Sequence, residues 1–63
     1  MLIKSKRQAI RVMKRNNWYG PVVLKVMTEF CELRGKRKLK KLLEDNKWYL
    51  SVVLKQAHSL VQA

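Results

Sequence analysis

Shifted by thirty residues, the chain matches itself. Asn16-Asn17-Trp18-Tyr19-Gly20-Pro21-Val22-Val23-Leu24-Lys25 lies over Asn46-Lys47-Trp48-Tyr49-Leu50-Ser51-Val52-Val53-Leu54-Lys55, and seven of these ten positions are identical. Upstream, Lys6-Arg7 lies over Lys36-Arg37 and Val12-Met13 over Leu42-Leu43; downstream, Phe30 lies over Leu60. Each copy reads as a basic segment, then Asn-x-Trp-Tyr, then an apolar helix. Two copies are too few for a solenoid, which needs about three. They predict pseudo-repeats over 4–33 and 34–63 inside one pseudo-twofold domain covering residues 1–63. A chain of 63 residues buries only about 60% of the surface exposed when unfolded. A single cysteine excludes an internal disulfide, so oligomerisation is the remaining common support for a thin core, and a homodimer is expected.

Periodicity makes the fold all-α, a small domain of three to four helices with the last one long. Gly20-Pro21 is the one strong breaker pair: glycine favours a helix C-terminus and proline the first helical position. A first helix should therefore end near Tyr19 and a second begin at Pro21. The second carries Val22, Val23, Val26, Met27, Phe30 and Leu33 on one side at helical spacing, and Gly35 ends it. From there Leu39, Leu43, Asn46, Leu50, Val53, Ala57 and Leu60 form a heptad seam interrupted by one asparagine. Read as one helix over residues 37–61, it spans roughly 37 Å, and the seam is the expected dimer interface. Asn46 either fixes register in that seam or marks a bend. The alternative is a break at Glu44-Asp45-Asn46, with Asp45 or Asn46 capping a fourth helix. Val22-Val23 and Val52-Val53 have helical flanks, which argues against strands.

Fifteen Lys and Arg face four Asp and Glu, a formal net charge of +11. So much like charge repels itself, and a polyanionic partner explains it best. Twelve of the fifteen cations fall into two segments: Lys4, Lys6, Arg7, Arg11, Lys14 and Arg15; and Arg34, Lys36, Arg37, Lys38, Lys40 and Lys41. At 100° per residue, Lys4, Arg7, Arg11, Lys14 and Arg15 share one face of the first helix. Leu2, Ile3, Ala9, Ile10, Val12 and Met13 share the other. A solvated surface helix usually interleaves acids, yet residues 1–28 contain none. Phosphate binding is therefore the expected role of these twelve cations, with Arg7, Arg11 and Arg37 as principal contacts. Trp18 and Trp48 fall outside the main apolar stripe. Each either packs on a second helix or subunit, is redirected inward by a break in the helix, or stacks on a base. Helical ion pairs are expected for Lys41 with Glu44 and Lys25 with Glu29. His58 reads as a solitary surface residue and Cys31 as a small core residue.

Catalytic signatures are missing. There is no Gly-rich phosphate loop, no C-x-x-C, no nucleophile elbow and no carboxylate pair with a plausible base, so no enzyme, cofactor or metal site is expected. A helix-turn-helix around Gly35 fits poorly, because Lys36, Lys40 and Lys41 occupy places that should be apolar. The N-terminus lacks the apolar core of a signal peptide, no run is long enough to span a membrane, and a lone thiol suits a reducing compartment; a cytoplasmic protein is expected. The functional expectation is a small regulatory protein that binds DNA or RNA through phosphate contacts. The alternative is an adaptor docking on an acidic host protein such as part of the transcription machinery. Small basic chains of this kind are common among phage and plasmid regulators. A membrane-active cationic peptide fits the charge but not the heptad seam.

Overall fold

Helix α1, Lys6–Arg15, begins at a reciprocal cap. The Ser5 hydroxyl accepts the Gln8 N–H at 3.1 Å, and Gln8 Oε1 accepts the Lys4 N–H at 2.7 Å, satisfying amides that the first helical turn leaves open. The helix is sharply two-sided: Ala9 and Met13, one turn apart, are fully buried, and Arg7, Arg11, Lys14 and Arg15 are exposed. It ends at Arg15, four residues before Tyr19, because the Asn16 side chain turns back to donate to the Val12 carbonyl at 2.8 Å. The computed structural model describes residues 3–62; Leu2, expected on the apolar face of α1, lies outside the described residues.

Helix α2, Gly20–Arg34, starts with Pro21 in its first turn and closes on Gly35, whose φ of +66° is the left-handed cap that glycine adopts without a Cβ clash. It buries Val23, Val26, Met27, Phe30 and Cys31. So broad an apolar surface is not one stripe, and it is covered from several sides: α2 packs against α1 and against both helices that follow. These are α3, Arg37–Asp45, and α4, Leu50–Gln62. The chain is thus all-helical, four helices among the described residues, with α2 as the shared support.

The expected single helix over 37–61 is two helices. Asn46 breaks it: its Nδ2 donates to the Leu42 carbonyl at 2.8 Å and its own carbonyl accepts the Tyr49 N–H at 2.8 Å. Asn16 does the same in the first copy, to Val12 and from Tyr19. Asn46 therefore marks a bend and not a register lock. The fold-back gives the seam an intrachain cover. Leu43, Val53 and Ala57 are fully buried, Leu39, Asn46 and Leu60 are half-buried, and only Leu50 is exposed, at 37%. The stripe expected to face a second copy instead faces the chain's own α2.

Repeat-equivalent residues meet in the core. Met13 and Leu43, Val23 and Val53, Met27 and Ala57 are each fully buried. The packing nonetheless departs from a twofold arrangement, because α2 contacts all three other helices closely and those three touch one another little. The two hairpin turns also differ. Asn17 and Trp18 have φ of 53° and 56°, and they are the only non-glycine residues with positive φ among the described residues. Asparagine tolerates this region; a bulky side chain there costs about 1–2 kcal/mol. The Trp18 N–H reaches the Met13 carbonyl at 2.9 Å, and the indole turns inward to stack on His58, centroids 4.3 Å apart and planes at 30°. That contact offsets the strain. In the second copy Lys47 replaces Asn17, the left-handed pair is absent, and Trp48 is left 83% exposed. Asn17→Lys should then loosen the first turn as well. In a Trp48→Phe background, where Trp18 is the single reporter, the midpoint should fall by roughly 4–8 °C for about 1 kcal/mol, and Trp18 emission should shift to the red. An unchanged midpoint and emission would separate the turn residue from the fate of the indole.

Candidate functional site

The strongest feature of the surface is unneutralised positive charge. Ten of the twelve predicted phosphate ligands are exposed: Lys4, Arg7, Arg11, Lys14 and Arg15 about α1, and Arg34, Lys36, Arg37, Lys38 and Lys41 about the α2–α3 corner. Lys6 and Lys40 are half-buried. Arg7, Arg11 and Lys14 succeed one another at steps of four and three, so the regular geometry of α1 holds them in one row. The structure also exposes three cations outside the two segments, Lys25, Lys47 and Lys55.

The α2–α3 corner has shape as well as charge. Gly35 reverses the chain in its left-handed conformation, and α3 starts two residues later without a side-chain cap. Gly35, Lys36, Arg37, Lys38 and Leu39 line a shallow groove, and a second concavity beside it adds Cys31, Glu32 and Lys40. An uncapped helix start leaves backbone N–H groups pointing outward, and these add to the attraction of the surrounding cations for an anion. Arg34 reaches back over the Phe30 ring, 5.8 Å from its centroid.

One of the twelve is already engaged. Lys40 Nζ lies 2.9 Å from Glu32 Oε1, and the hydrogen bond from Lys40 to Glu32, followed by their charge attraction, raises the Lys40 pKa above its ordinary value. This is the only ion pair among the described residues. The expected pairs Lys41–Glu44 and Lys25–Glu29 do not form. Both lie within one helix, where exposed pairs contribute only a few tenths of a kcal/mol, whereas Lys40 and Glu32 join α3 to α2. Glu29 Oε2 is buried without a hydrogen-bond partner. Cys31, 1% exposed, sits in the core as expected. Burial raises its thiol pKa, against the lowering effect of Lys36 and Lys40, so the nucleophilic thiolate is disfavoured.

The two tryptophans part company. Trp18 is half-buried on His58 and cannot offer that face to a base; Trp48 is open. Lys47 Nζ lies 5.5 Å from the centroid of the Trp48 ring. The grouping of Lys47 and Tyr49 with Tyr19 was not legible in the sequence because residues 37–61 read as one helix, which gave the second copy no turn to match the one expected after Tyr19. The signal was the alignment of Asn46 with Asn16, which implies a turn in both copies. Among the described residues, no group of three or more His, Cys, Asp or Glu is placed to hold a metal ion, and no helix is long and apolar enough to cross a membrane. Compared with known proteins, the chain matches no family model, no curated protein and no solved structure.

Proposed function

We propose that this protein is a non-catalytic nucleic-acid-binding protein that holds the phosphate backbone through the exposed cations of α1 and of the α2–α3 corner. The observation that carries this reading is the asymmetry of charge. Eight of the ten exposed Lys and Arg from the two segments lie within helices, with Lys4 and Lys36 just ahead of α1 and α3, and among the described residues only one lysine is neutralised by an acid. A surface serving solubility alone mixes the two signs. Neither basic segment presents the spacing of a base-reading motif, so affinity comes from counterion release and little from base edges.

The test is binding to a duplex of arbitrary sequence across a salt series. With about six phosphates neutralised, the slope of log K against log salt is expected near −5. Duplexes of unrelated sequence should bind within a few-fold of one another. A slope near zero, or no binding at low salt, overturns the proposal. Strong preference for one sequence overturns the phosphate-only mechanism.

A further inference from the structure

Trp48 is 83% exposed, Tyr49 66% and Tyr19 62%. Full exposure of one aromatic side chain is ordinary; three at one end of so small a domain are not, because large aromatic side chains lose much by staying in water. The fold places them together. Gly20 has no Cβ, and one added there would stand 2.6 Å from Leu50 Cδ1. The starts of α2 and α4 therefore lie against each other, and the residues just before them, Tyr19 and Tyr49, lie at the same end of the molecule. Trp48 precedes Tyr49 in the same turn.

We propose that this end, with Trp48 as its principal ring, is a stacking platform for unpaired bases of a single-stranded nucleic acid. The inference rests on the nucleic-acid reading above and adds the strand form. Three observations select this occupant. Lys47 sits over the indole and brings positive charge within reach of a phosphate next to a stacked base. Lys14 and Arg15, both exposed, close α1 just before the first turn and lead into Tyr19. Net positive charge opposes a second copy of the same chain. The acids nearest in sequence are Glu44 and Asp45 at the end of α3, and the three exposed cations Lys47, Lys14 and Arg15 outnumber them. An indole edged by lysine suits a base beside its phosphate, since every base offers a π-face and no hydrogen-bond code is required. A duplex hides its π-faces in the stack and can use only the phosphate contacts.

The test compares a labelled single-stranded oligothymidylate of about 12 nucleotides, roughly one ordinary single-strand site, with a mixed-sequence duplex, by fluorescence anisotropy at fixed salt. Trp48→Ala should weaken single-strand binding about tenfold to a hundredfold and leave duplex binding within twofold. Trp48→Phe, which keeps a ring, should recover most of the loss. Trp48 contributes nothing to the core, so both variants should keep the helical signal. If Trp48→Ala leaves both affinities unchanged while the duplex still binds, the platform is overturned and the phosphate reading stands. If the unaltered protein binds neither oligonucleotide at low salt, both are overturned. If both affinities fall together and sedimentation shows a dimer dissociating to a monomer, the patch is a contact between copies and the platform is overturned.

Discussion

Leu43→Glu should leave the chain unfolded at room temperature, whereas Leu50→Glu, seven residues further along the same seam, should leave it folded. Leu43 is 0% exposed and sits under α2 among Met13, Met27 and Val53. Truncating such a residue costs about 2–5 kcal/mol, and an unpaired carboxylate in its place adds a desolvation cost of several kcal/mol. A domain of this length has roughly 3–9 kcal/mol in all, so nothing remains. Leu50 lies at the rim, 37% exposed against Gly20, where a glutamate can turn to water and forfeits about 1 kcal/mol of burial. Circular dichroism and urea melts of the two variants decide the matter. In an intermolecular heptad seam both positions would be interior and both variants would fail alike. In the folded-back arrangement only the first fails. Two unfolded variants would restore the long helix; two folded ones would contradict the core.

That contrast also shows why the break at Asn46 was hard to read. A period of seven usually implies one continuous helix, but here it survives a turn. Leu39 and Leu43 on α3, and Val53, Ala57 and Leu60 on α4, all face inward. The seam records which residues are buried without saying whether the backbone between them stays helical. Glycine and proline left clearer marks: Gly35 closes α2 as expected, and Gly20-Pro21 opens it. The basic faces were equally legible, since charge confined to one side of an amphipathic helix is sorted by burial alone. The aromatic end was not. Both copies spell Trp-Tyr identically, and their fates diverge through neighbours whose effect is conformational: asparagine or lysine before the tryptophan, glycine or leucine after the tyrosine. A left-handed residue and a missing Cβ act through backbone geometry, which hydrophobic periodicity does not register.

Changing Arg7, Arg11 and Arg37 together to alanine should weaken nucleic-acid binding about a hundredfold to a thousandfold at 0.1 M salt without loosening the fold. All three are exposed and none takes part in an ion pair, so their removal takes nothing from the core. It lowers a formal charge of +11 by three units and relieves self-repulsion, so the thermal midpoint should hold or rise. Each lost phosphate contact removes about 0.9 from the salt slope and, at 0.1 M, about a factor of eight in affinity. The three together should flatten the slope by about 2.7. The loss should be the same on every sequence, since no base edge is involved. It should also fall on single strand and duplex together, unlike the loss from Trp48→Ala, which should fall on the single strand alone. The two variants therefore separate charge from stacking. A loss confined to a single target sequence would mean that one of these arginines reads a base. An unchanged slope would mean that the phosphates lie elsewhere, with Lys14, Lys38 and Lys41 the next exposed cations to remove.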